Sequence, residues 1–147
     1  MKTVLFVGAG RHQRRAIEQA RARGLRVVAV DRNAQAPGLA AAHVAEVVDF
    51  SDCERVIDTA RRAGVDGVLT ISADRAVPVV AAAAEALSLP GIGMETAHRL
   101  THKLAMRAAL GARDLPQPRY ASLRSVSDVG PALDDVRLPA VLKPVDS

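Results

Sequence analysis

The segment Gly8-Ala9-Gly10-Arg11-His12-Gln13 joins a short apolar run to a helical pattern, a setting in which a chain can hold an anion. Gly8 permits a tight turn, Gly10 lets a ligand approach the backbone, and the free N–H groups at the helix start attract negative charge. Arg11, Arg14 and Arg15 add positive charge near the same end. Further along, Thr70-Ile71-Ser72-Ala73-Asp74-Arg75 closes another apolar run, and the hydroxyls of Thr70 and Ser72 can reach the same ligand. Ser72 or Asp74 can instead cap the next helix, which is the expectation for Asp74. Arg75 fits either a ligand contact or the surface. The expected substrate contacts are Gly8, Gly10, Arg11, Gln13, Thr70 and Ser72. Lys143 ends the run Ala140-Val141-Leu142, read as a buried strand, where an ammonium group is costly unless it has a task.

Two other readings of the glycine turn stay open. A dinucleotide site needs G-x-G-x-x-G followed by an acid at the end of the next strand, and Asp31 stands about there. Gln13, however, replaces the third glycine, whose role is close packing of helix against strand. The chain would then be a binding module for NAD(P) or a regulatory ligand. Alternatively, Gly8 and Gly10 only make a sharp turn, and the chain is a folded scaffold with a dimer surface.

The elements that must position these residues alternate. Strands are expected at Lys2–Val7, Arg26–Val30, His43–Val48 and Gly67–Ile71, with a fifth, very short one around Ile92. Helices are expected at Arg11–Arg23, from a Ser51 or Asp52 cap to Ala63, and from Ser72 or Asp74 to Leu87. This order predicts an open, parallel, Rossmann-like α/β sheet with helices on both faces, occupying residues 1–93. Ligands of such a sheet gather at the carboxyl ends of its strands, where Gly8 and Thr70 both lie. Residues 94–112 read as one or two connecting helices. Beyond Pro116 and Pro118 come a strand at Arg119–Leu123, a helix at Ser125–Asp135 and a strand at Ala140–Lys143. Residues 113–147 are thus expected to open a second, α+β unit too small to bury a core of its own. A truncated or proteolysed chain is the expectation.

Composition narrows the function classes. Apolar residues make up 49% and charged residues 24%, so the chain reads as soluble and globular. The apolar stretch at its start is too short for a signal peptide, which makes the cytoplasm the expected compartment. The formal charge of +4 does not argue for nucleic acid, because arginines are interspersed with acids and the only aromatics are Phe6, Phe50 and Tyr120. The longest apolar run, Ala76–Ala84, contains Pro78 and falls well short of the ~20 residues of a membrane span. Cys53 is the lone cysteine, read as a partly buried thiol at a helix start, since no histidine is nominated as its partner.

In order along the chain, the turn Gly8–Gln13, then Val28-Ala29-Val30-Asp31, Gly64-Val65-Asp66-Gly67-Val68-Leu69-Thr70 and Glu85-Ala86-Leu87-Ser88-Leu89-Pro90-Gly91 resemble the pre-ATP-grasp domain of ATP-grasp ligases. His102-Lys103-Leu104-Ala105-Met106-Arg107, Leu115-Pro116-Gln117-Pro118 and Leu138-Pro139-Ala140-Val141-Leu142-Lys143-Pro144 resemble that family's entry into its nucleotide fold. Biotin carboxylases, carbamoyl-phosphate synthetases and the purine-pathway ligases share the arrangement, and the resemblance covers essentially the whole chain. It implies ATP and Mg2+ as cofactors and a small-molecule carboxylate as substrate, with Lys103 and Lys143 reaching the phosphates of ATP. From the residues alone, Lys103 reads equally as part of a solvated helix face. The resemblance also makes a homodimer through the first domain a possibility. His102 departs from the pattern, standing where Asp or Asn commonly precedes the lysine. The glycine-rich loop expected after Lys143-Pro144 is missing, and the magnesium ligands are expected beyond residue 147. No metal ligand and no catalytic residue is therefore assigned to this segment.

Overall fold

The computed structural model describes residues 1–146, so Ser147, the last residue of the expected second unit, lies outside them. Two compact units divide the chain, Met1–Ala97 and the residues from His98 onward.

In the first unit, β1 (Thr3–Val7), β2 (Arg26–Asp31), β3 (Val44–Val47) and β4 (Gly67–Leu69) form one parallel sheet in the order β3-β2-β1-β4. Val4 is level with Val27 on one side and Gly67 on the other, and Val28 with Val44. The central strands read as unbroken apolar runs because both faces are covered. On one face, Leu5, Val7, Val28, Val30 and Val68 meet Val56 and Ala60 of α2 (Cys53–Ala63) and Ala83 of α3 (Val77–Ala86). Their neighbours Phe6, Val27 and Ala29 point the other way, onto Ile17 and Ala20 of α1 (Arg11–Ala22).

The helix ends only partly follow expectation. Asp52 caps α2, its Oδ1 accepting the Arg55 N–H at 3.2 Å. Asp74 does not cap: it begins a short 3-10 turn, Asp74–Ala76, that leads into α3 without a side-chain cap. The expected fifth strand at Ile92 is absent. Instead Glu85 Oε1 accepts the Met94 N–H at 2.8 Å and starts α4 (Met94–Thr101), while Gly91 packs against Ala84 so closely that an added Cβ would lie 2.8 Å from the alanine methyl.

The second unit holds α5 (Lys103–Gly111), a 3-10 turn Val126–Asp128 and α6 (Val129–Val136). Ser125 and Asp128 form a reciprocal capping box at that turn, and the two N–H groups of Arg124 and Ser125 hold the Asp128 carboxyl below its ordinary value. Neither Arg119–Leu123 nor Ala140–Lys143 is a strand. A strand exists only as one side of a hydrogen-bonded ladder, and among the described residues of this unit none offers the other side. Val141 and Leu142 are accordingly 80% and 82% exposed.

Candidate functional site

The sheet order places β1 between β2 and β4, so the chain leaves β1 toward one edge and returns at β4 on the other side. The candidate site lies between the two loops that diverge there, the place where ligands of open α/β sheets bind. Its walls are the turn after β1 and the loop after β4, the two segments singled out from sequence.

The turn is built from its neighbours. Gly8 has φ +93°, a conformation that side chains resist, and its N–H donates to the Val30 carbonyl at 2.9 Å. The Ala9 peptide is gripped at both ends. Its N–H donates to Asp31 Oδ2 at 2.8 Å, and its carbonyl accepts the Gly38 N–H at 2.7 Å. Asp31 Oδ1 accepts the Asn33 N–H at 2.9 Å. Asp31 thus serves as a clamp on the turn, with both oxygens engaged by backbone, which is a different task from holding a ribose. Asp31→Ala is expected to destabilise the chain by about 2 kcal/mol, since it leaves the buried Ala9 N–H without its charged acceptor. A thermal melt of the variant checks this.

Gln13 and Thr70 each donate a hydrogen bond within the protein. Gln13 is 6% exposed, and its Nε2 donates to the Ile71 carbonyl, bridging the site from α1 to the end of β4. The amide lies beneath the two glycines. A Cβ at Gly8 would be 3.9 Å from Gln13 Cγ and Cδ, and one at Gly10 would be 3.1 Å from Oε1. The packing that a third glycine would have allowed is thus replaced by a side chain that fills the same space. Thr70 Oγ1 donates to the Val7 carbonyl at 2.7 Å, so this hydroxyl ties β4 to β1 and its proton is already committed. Ser72 follows with φ +54° and is exposed beside the site, as is Arg11 at the start of α1.

Charge gathers at the same sheet edge. Asp49, after β3, is held below its ordinary carboxyl value, first by the Ser51 N–H and hydroxyl and then by Arg32 and Arg75. Those arginines leave β2 and β4, so three strand exits converge here. Cys53 begins α2 half-buried, and burial together with Glu54 and Asp52 pushes its thiol up, the opposite of what a nucleophilic thiolate needs.

The two lysines lie in the second unit. The Lys103 N–H donates to the Val145 carbonyl at 2.8 Å, which sets the start of α5 beside the backbone two residues after Lys143. His102 performs the capping that an Asp or Asn would, its Nδ1 accepting the Ala105 N–H at 3.2 Å. Lys143 itself is exposed, and the buried strand inferred beneath it is not there. The burial argument for that lysine therefore fails. Among the described residues no group of three or more His, Cys, Asp or Glu is arranged to hold a metal ion. Sequence reasoning missed the roles of Asp31, Gly38 and the Ile71 carbonyl. The close Pro37-Gly38 pair in a loop was the one available signal.

Fold and site define an α/β domain whose parallel sheet is covered by helices on both faces. The chain belongs to the ATP-grasp N-terminal domain family, whose model matches residues 17–91. It is 29% identical to the formate-dependent phosphoribosylglycinamide formyltransferase of Synechococcus sp. (strain CC9605), the match covering 99% of this chain and 38% of that protein. Among solved structures it resembles phosphoribosylglycinamide synthetase from Anaerococcus prevotii, with a TM-score of 0.74 and 26% identity over 94% of this chain and 35% of the other. L-amino acid ligase from Bacillus licheniformis aligns over the whole of this chain and 38% of its own, with a TM-score of 0.73 and 25% identity. The chain thus spans less than two-fifths of the length of the curated relatives it matches. No helix among the described residues is long and apolar enough to cross a membrane.

Proposed function

We propose that the chain is the N-terminal part of an ATP-dependent ligase that joins a carboxylate to an amine or related nucleophile. The observation that carries this reading is the match to the ATP-grasp N-terminal domain family, together with a likeness over nearly the whole chain to a synthetase and a ligase structure. Residues 1–93 would bind the small-molecule substrate, 94–112 would connect, and 113–147 would begin the nucleotide-binding domain.

In that division of labour the site offers Gly10, Arg11, Ser72 and the start of α1 to a substrate, while Gly8, Gln13 and Thr70 hold its walls. The relatives' names suggest two ligand families, phosphoribosylglycinamide (the acceptor of one relative and the product of another) and L-amino acids. Both carry an anionic group, which suits the helix start and the arginines. Lys103 and Lys143 would face ATP, where fixed ammonium groups stabilise charge that spreads over phosphate oxygens during transfer to the carboxylate. The acyl phosphate so formed is the species the nucleophile would attack. The magnesium that such transfer uses would be held by residues outside this segment. A homodimer through the first unit and a cytoplasmic setting complete the proposal.

The test is ADP release by the full-length gene product, with and without a panel of candidate carboxylates. ADP release that depends on one carboxylate supports the ligase and names its substrate class. A product inert toward ATP across the panel removes the ligase reading.

A further inference from the structure

We propose that His102 is a protonation switch on the start of α5: its neutral ring caps the helix that begins at Lys103, and a proton on that ring releases the cap. This rests on the reading that Lys103 faces ATP and adds the condition under which that lysine is held in place.

His102 joins α4 to α5 through three hydrogen bonds. Its N–H donates to the His98 carbonyl at 2.9 Å and closes α4, and its carbonyl accepts the Met106 N–H at 3.0 Å. The ring Nδ1 accepts the Ala105 N–H at 3.2 Å, with His102 itself in extended backbone. An Asn oxygen, which the resemblance would allow at this place, accepts at any pH. A ring nitrogen accepts only while it carries no proton, so the neutral His102 ring holds its proton on Nε2. The imidazolium has two donors and no acceptor, and its Nδ1–H would face the Ala105 N–H. Histidine is the side chain whose ordinary charge change falls between about pH 5 and 8.

What the cap holds is the first turn of α5, which opens on Lys103. The Lys103 N–H, bonded to the Val145 carbonyl at 2.8 Å, ties the same turn to the terminal segment. The first turn contains no acidic residue that could replace the ring as acceptor. Without the cap the Ala105 N–H loses its partner and the turn frays from its end. Lys103 then leaves its place, and nucleotide affinity falls with the fraction of molecules whose first turn is intact. The charged and titratable groups that share this junction are Glu95, His98 and Arg99 of α4, Lys103 of α5 and Asp146 of the terminal segment. The His98 ring lies 5.0 Å from the His102 ring, centroid to centroid, and is tilted from it by 34°. Because this second imidazole also titrates, His98 is kept in every variant below.

The experiment measures ADP affinity and amide hydrogen exchange of the full-length gene product at about pH 8 and about pH 5.5. The titration of ADP itself and the intrinsic pH dependence of exchange are common to all variants, so each variant is compared with the wild type at the same pH. On acidification the wild type is expected to lose about fivefold more ADP affinity than His102→Asn, whose side-chain oxygen caps at both pH values. Amides at the start of α5 should exchange about fivefold faster in the wild type than in His102→Asn at the lower pH, and equally fast at the higher. His102→Ala, which has no cap to lose, should bind ADP weakly and exchange fast at both; if it does not fold, the Asn comparison decides alone. An equal pH response in the wild type and His102→Asn would overturn the proposal, and so would α5 amides that stay protected in the acidified wild type. Failure of the ligase reading would instead appear as no ADP binding at either pH while the pH-dependent exchange at α5 persists, which keeps the switch and removes ATP from it.

Discussion

Gly38→Ala is expected to lower the melting temperature of the chain by on the order of 10 °C, the largest effect of any single methyl added to the first unit. The added Cβ would lie 2.6 Å from the Ala9 carbonyl oxygen, 3.0 Å from the Ala9 carbonyl carbon and 2.8 Å from Ile17 Cδ1. Two of those three atoms are backbone, and Ile17 is fully buried on the inner face of α1, so none can step aside cheaply. Overpacking of this kind costs about 3 kcal/mol. The strain also falls on the Ala9 peptide, and any ligand affinity of the site should fall with it. Gly24→Ala serves as the control: no atom lies within 4 Å of its added Cβ, and what it loses comes from its φ of +80° alone. Equal melting temperatures for the Gly38 variant and the wild type would mean that the loop from Asp31 to Gly38 is not packed on the turn.

Lys103→Ala and Lys143→Ala should each reduce kcat/KM for ATP in the full-length product by about a hundredfold or more, as removal of a fixed charge-stabilising group does. Lys143 is exposed, so its loss should change the melting temperature little. That combination, large in rate and small in stability, separates a phosphate-binding lysine from a structural one. Arginine should not restore full activity at either place, because its planar fork does not reproduce a compact ammonium charge. A reduction below about threefold at Lys143 would leave it a surface residue and move the phosphate contacts elsewhere.

What could be read in the sequence depended on whether an element's cause was local. β1 and β2 are legible because burial on both faces leaves an uninterrupted apolar run. Asp52 is legible as a cap because its partner, the Arg55 N–H, lies three residues away. The strand expected at Ala140–Lys143 fails for the opposite reason. Its apolar residues are there, but a strand is defined by a neighbour. The same applies to Ile92, where Glu85 claims the Met94 N–H first. At the site, both glycines and Gln13 are marked out by type and spacing. Gln13 and Thr70, however, each spend a proton on a backbone carbonyl across the sheet rather than on a ligand. Such bonds span 58 and 63 residues of sequence, and no local pattern announces them.

The grip on Ala9 bears on how this site could be re-aimed. Because Asp31 takes its N–H and Gly38 takes its carbonyl, the course of the glycine turn is set by a loop that lies outside the turn. Libraries that randomise Gly8 to Gln13 would mostly break the support of the binding surface. Variation at Ala34, Gln35 and Pro37, which are exposed on that neighbouring loop, offers a gentler handle: it can tilt the turn by small amounts while every group that faces a ligand keeps its identity.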